Sequence, residues 1–128
     1  MDIDIKAIGQ RIREEREKLE LSREELAEII GLSDYYVGQL ERGERQMSLP
    51  VLIKIANCLH VTIDYLIFGK VSKNISELQD TPYPYGSSEN SYYAEINDLL
   101  KKCSPHELEL IKKLIKTILP YLGSKEIK

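Results

Sequence analysis

No apolar run in this 128-residue chain approaches the roughly 20 residues that a membrane-spanning helix needs. The opening MDIDIKAIGQ lacks the basic-then-apolar order of a secretory signal. The chain is therefore expected to work in the cytoplasm, away from membranes. Cysteine is scarce: Cys58 and Cys103 are the only two, and neither has a metal-like partner nearby. Reduced cysteines on helix-like sequence behave as small hydrophobes, so neither a disulfide framework nor a metal site is expected. The sequence also lacks a glycine-rich phosphate loop, a spaced His/Cys cluster and an assemblable Ser/His/Asp set. No enzyme and no cofactor are expected on that basis. An excess of positive charge is missing as well, the formal net charge being −3. That argues at first against nucleic acid, whose phosphates need Lys and Arg. A locally basic edge on an acidic protein can still suffice, so net charge alone decides nothing.

What is present is helix-forming sequence in two blocks. Hydrophobic residues make up 42% and charged residues 30%, a balance that fits a globular protein and excludes a disordered one. There is no strand-like alternation and no internal repeat. Residues 1–69 contain no proline before Pro50, whereas 70–91 carry the proline-, glycine- and serine-rich TPYPYGSSENS, which sustains neither a helix nor a core. The division expected is a compact domain over 1–69, a linker over 70–91 and a helical module over 92–128.

Five helices are expected in the first block. Ile5, Ile8, Ile12 and Leu19 fall near one face of the first, about Ile5 to Leu19. Ser22 stands three residues before Glu25 as a capping box, and Gly31 ends this second helix. Ser33 caps a third helix, Asp34 to Arg42, with Val37 and Leu40 inward and Gly43 behind it. Ser48 opens a fourth with Pro50 in its first turn and Leu52, Ile55, Ala56 and Leu59 as its stripe. Thr62 starts a fifth, Ile63 to Phe68, stopped by Gly69. Glu14, Glu15, Glu17, Glu24, Glu25 and Glu28 read as solvated helix faces.

Leu21 to Arg45 is the informative unit: two short helices joined by the tight turn Gly31-Leu32-Ser33. So short a turn sets the helices at a steep angle and projects one face of the second outward, a shape that enters a DNA major groove. The lead-in IGQRIREEREKLELS, the hinge ELAEIIGLS, the segment VGQLERGER and the following LPVLIKIANCLHVTIDYLI resemble the Cro/CI-type (XRE) helix-turn-helix regulators over roughly Ile5 to Phe68.

The resemblance implies an all-α, five-helix lambda-repressor-like domain that binds double-stranded DNA sequence-specifically and regulates transcription, as a repressor on a two-fold operator. It places Asp34, Tyr35 and Gln39 at base-reading positions, flanked by Tyr36 and Gly38. Gln39 is the strongest of these, because its amide can bond adenine N6 and N7 together. Tyr35 can donate to a base or pack on a thymine methyl. Asp34 either accepts from cytosine N4 or, the reading favoured here, supports its helix start electrostatically. Arg42, Arg45 and Gln46 match phosphate-clamping positions, with Ser33 at the helix start. Arg23 stands where many relatives carry a glutamine that touches the DNA backbone, a departure that keeps the phosphate contact through charge instead, and Glu44 stands where several carry lysine. Arg16 and Glu41 match a buried salt bridge linking the first and third helices, a structural role.

In the last block, Tyr93, Ile96, Leu99 and Leu100 share a side of one helix, Tyr92 to Lys102. Ser104, Pro105 and Glu107 then begin another, whose stripe Leu108, Ile111, Ile115, Ile118 and Leu119 runs to Pro120. Two short helices cannot form a core alone. They are expected to pair between chains as a homodimer, the alternative being packing within one chain. A third possibility is an antitoxin-like arrangement in which this stripe receives a different protein.

Overall fold

Residues 3–69 and 88–122 are described by the structure, a computed structural model. The described residues form seven helices: α1 (Ile5–Lys18), α2 (Arg23–Ile30), α3 (Asp34–Glu41), α4 (Leu49–Leu59), α5 (Ile63–Phe68), α6 (Ser88–Lys101) and α7 (Pro105–Leu122). None is long and apolar enough to cross a membrane. Most of the expected linker, 70–87, lies outside the described residues.

Each helix of the first block is opened by one short polar side chain that accepts the amide three residues on. Asp4 takes Ala7, Ser33 takes Tyr36, Ser48 takes Val51 and Thr62 takes Tyr65. The Ser22–Glu25 capping box is complete, with bonds of 3.0 and 2.8 Å. These contacts satisfy amides that a helix start otherwise leaves orphaned. Inside the borders they set, the apolar stripes meet in one core. Ile8, Ile12, Leu26, Ile30, Val37, Leu40, Leu52, Ile55, Ala56, Leu59 and Leu66 are buried, with Leu19 and Ile29 packed at its margin and Ile5 half-buried. Cys58 joins the core, and burial pushes its thiol up to about 12, which keeps it neutral and unreactive.

Helix α1 packs against α3, α5 and α4, and carries the domain's buried polar links. Arg16 Nε meets Glu41 Oε2 at 2.6 Å and Nη2 meets Oε1 at 3.0 Å, while Nη1 donates to the Leu21 carbonyl at 2.8 Å. The arginine thus ties the α1 face to the end of α3 and to the loop before α2. Arg11 Nη1 donates to the carbonyls of Leu66 and Ile67 at 2.8 and 3.0 Å, filling acceptors that the end of α5 leaves open. Glu15 corrects the sequence reading: it is buried, accepting from the Tyr65 hydroxyl at 3.2 Å and pairing with Lys18 at 3.0 Å. Burial first, then the neighbouring carboxylate, raise the Tyr65 phenol above its ordinary value, so it remains the donor. A carboxylate in a glutamate-rich run looks solvated in sequence; a tyrosine 50 residues away gives it a partner and brings it inside.

Helix α6 begins at Ser88, four residues before the expected start, so residues 88–91 of the expected linker are helical. Short polar residues followed by an amphipathic run suit a first helical turn, and the absence of proline between Pro84 and Pro105 lets the helix extend back. Ser104 and Glu107 form a second reciprocal capping box at 3.2 and 2.8 Å. Helix α7 continues through Pro120 to Leu122 instead of stopping there. A proline in the last turns removes one backbone bond, and here its ring is buried at the α7–α4 contact, which offsets that loss. Three features fasten this end: Lys116 to Glu20 at 2.9 Å, His60 Nε2 to the Leu119 carbonyl, and the burial of Pro120 where α7 meets α4. The His60 contact requires that ring nitrogen to carry a proton.

Docking engages only the end of α7. Leu110, Leu114, Ile115 and Ile118 remain exposed, and every residue of α6 from 91 to 99 is exposed, including Tyr92, Tyr93, Ile96 and Leu99.

Candidate nucleic-acid interface

The turn between α2 and α3 is built by Gly31, whose φ of 77° ends α2 in the left-handed region. Leu32 then donates its amide to the Ala27 carbonyl at 2.8 Å and tucks against the core, and Ser33 opens α3. Val37 and Leu40 anchor α3 from below. The opposite face is left to solvent, and Tyr35, 71% exposed, marks its centre.

Three guanidinium groups surround that face. Arg23, at the start of α2, lies 3.3 Å from Asp34 Oδ1, at the start of α3. That oxygen is covered and makes no aligned hydrogen bond, so the link is an ion contact rather than a directional one. Asp34 is thereby held at the α3 N-terminus, where a carboxylate complements the helix dipole. Arg42, the α3 C-cap, grips Glu44 with Nε at 2.9 Å and Nη2 at 3.3 Å. Gly43, with φ 73°, reverses the chain between them. The Arg42 bond holds Glu44 below the usual carboxylate range, and Glu44 raises Arg42 in turn.

Gly38 is buried beneath these arginines. A Cβ there would lie 3.0 Å from Arg42 Nη1 and 3.2 Å from Arg23 Nη1, so two guanidinium forks converge over the middle of α3. Arg45 stacks on Tyr36, its central carbon 5.0 Å from the ring centroid, and donates to Gln39 Oε1 at 3.3 Å. The first contact is a cation–π pair. The second fixes which end of the Gln39 amide faces Arg45, because only the oxygen can accept. Gln46 is exposed in the loop before α4.

Tyr35, Tyr36, Gly38, Gln39, Arg23, Asp34, Arg42 and Arg45 are therefore gathered around one helix, with Ser33 at its start and Gln46 on the adjoining loop. Arg16 and Glu41 lie beneath it, buried and away from that face. The sequence reading missed the two ion pairs that tie up Arg23 and Arg42. The Arg42–Glu44 link spans i to i+2 across a left-handed glycine, a spacing that no helix-face rule pairs.

The segment that carries this face also matches known proteins in sequence. The sequence profile of the family described as helix-turn-helix matches residues 12–66. Control protein C.SmaI of Serratia marcescens is 40% identical over 73 residues, covering 56% of this chain and 87% of that protein. Repressor protein C2 of Salmonella phage P22 is 30% identical over 80 residues, 62% of this chain but only 37% of that protein. Among solved structures, the restriction-modification controller protein C.AhdI from Aeromonas hydrophila is 42% identical, with a TM-score of 0.48. It aligns with 50% of this chain and 97% of its own.

Proposed function

Since the chain belongs to the helix-turn-helix family of transcriptional regulators, we propose that it is a cytoplasmic repressor that inserts α3 into the major groove of a two-fold operator. The observation that carries this reading is the solvent-facing side of α3, where Tyr35 and Gln39 stand among Arg23, Arg42 and Arg45. Tyr35 and Gln39 read base edges; the arginines position the helix on phosphates without reading sequence. Gln39 keeps its amide nitrogen free of the Arg45 contact and its oxygen has a second lone pair, so both can meet adenine. Asp34, committed to Arg23, supports the helix start.

Selection of random duplex DNA by the purified protein, beside a Gln39→Ala variant, tests this. The expected result is an enriched half-site repeated with two-fold symmetry. The variant should lose discrimination at one base position by about 1–3 kcal/mol, roughly 5- to 160-fold. No enrichment at low salt by folded protein would remove the reading.

The two-fold arrangement rests on a homodimer formed through α6 and α7. Their exposed Tyr93, Ile96, Leu99, Leu110, Leu114 and Ile118 support it, because isolated helices this short are marginal without packing. Truncation after Gly69 is expected to leave a folded monomer, the core lying within residues 3–69. An unchanged number of chains per particle in sedimentation would show that pairing lies elsewhere. Co-purification of a small unrelated protein that binds the full chain but not the truncation would favour the antitoxin-like arrangement instead.

A further inference from the structure

The surface of α3 combines cations that suit phosphate with two carboxylates that do not. Arg42 presents Nε and Nη2 to Glu44 and keeps Nη1 over Gly38, beside Arg23 Nη1. Both members of the Arg42–Glu44 pair are about half-exposed, so water and an approaching anion can reach it.

This arrangement distinguishes a distant phosphate from one in contact. At a distance the pair is a compact dipole, whose field falls off faster than that of a lone guanidinium and is further screened over roughly 8 Å at physiological salt. A loosely held duplex, attracted through long-range charge, therefore gains little from Arg42. A phosphate brought to Nη1 meets an unused N–H donor directly, and gains a charge-assisted bond. Only a duplex seated in register on α3 delivers one there.

We propose that Glu44 is a specificity-determining residue: it masks Arg42 from DNA at large and leaves Arg42 Nη1 to a phosphate presented in register. The inference rests on the operator reading above and adds to it a residue whose work is to weaken unwanted binding. It accounts for a carboxylate on a surface that would hold DNA more tightly without it.

The test measures affinity for the selected operator and for a random duplex across a salt series. The proteins are wild type, Glu44→Gln, Arg42→Gln and the double variant. Glu44→Gln is expected to tighten random-duplex binding severalfold at low salt. It should also steepen that salt dependence by about one phosphate contact, an extra loss of about threefold between 50 and 200 mM. Operator affinity should change less than twofold, so the ratio between the two duplexes falls. In the Arg42→Gln background the Glu44 substitution should have no effect, since there is no guanidinium to unmask. Equal tightening on both duplexes, or an effect that persists without Arg42, would overturn the proposal by reducing Glu44 to one unit of general charge. An operator read normally by wild type with Glu44→Gln inert on both duplexes overturns the proposal alone. Wild type that selects no duplex removes the operator reading, and this inference with it.

Discussion

Replacing Glu41 by alanine is expected to destabilise the protein by about 3–5 kcal/mol, the usual cost of leaving one member of a buried ion pair without its partner. The Glu41 side chain is 5% exposed and that of Arg16 is 11% exposed, so water cannot substitute for the lost carboxylate. Domains of this size hold only about 5–15 kcal/mol in total, and their midpoints fall about 4–8 °C per kcal/mol. The thermal midpoint should therefore drop by tens of degrees, with DNA binding lost through unfolding rather than through a missing contact. Circular dichroism at 222 nm against temperature and urea reads it directly. Exchanging both partners for apolar residues, Arg16→Met with Glu41→Leu, should recover much of the loss, because no charge is then stranded. Recovery will be incomplete, since the Leu21 carbonyl also loses its donor. A loss under about 1 kcal/mol for Glu41→Ala would place the pair in the class of solvated surface bridges.

Gly9→Ala should be the second severe change, in the direction opposite to helix propensity. Alanine in a helix interior is favoured over glycine by about 1 kcal/mol. At Gly9, however, a Cβ would fall 2.3 Å from the Leu40 carbonyl oxygen and 2.6 Å from that of Glu41. Those atoms belong to the last turn of α3 and cannot swing aside as a side-chain tip can. Helices α1 and α3 must separate, at the cost of about 1–3 kcal/mol or more that overpacking brings, and the Arg16–Glu41 bonds stretch with them. Urea unfolding of Gly9→Ala is expected to show a clear net loss. A variant as stable as wild type would mean that the two helices slide apart freely.

Much of the architecture is legible in the sequence because it is written locally. Ser22 with Glu25, Ser48 with Pro50, and Thr62 with Gly69 announce helix borders within a few residues. The apolar stripes, such as Leu52, Ile55, Ala56 and Leu59, follow from helical spacing. What periodicity does not carry are contacts whose partners are distant or fall outside helix spacing. Arg11 reaching the end of α5, Glu15 buried under Tyr65, and Lys116 on Glu20 depend on how elements dock. At the interface, the residues gathered on α3 follow from the two-helix unit and its family resemblance. The pairing of Arg23 with Asp34 and Arg42 with Glu44 needed side-chain geometry. So did the end-on docking of α7, since a sequence stripe says which face is apolar but not what covers it.

The six i-to-i+3 caps at Asp4, Ser22, Ser33, Ser48, Thr62 and Ser104 also bear on how the molecule tolerates damage. Each is worth about 1 kcal/mol and acts on its own helix, so the loss of any one leaves the other five intact. Errors in these positions are graded and additive, like single failed rivets along a seam. The α1–α3 crossing has no such redundancy, because Gly9, Arg16 and Glu41 all serve one junction. Sequence drift can therefore wander through the helix borders of this domain while that junction stays narrow, and the angle at which α3 crosses α1 is kept by the least forgiving part of the protein.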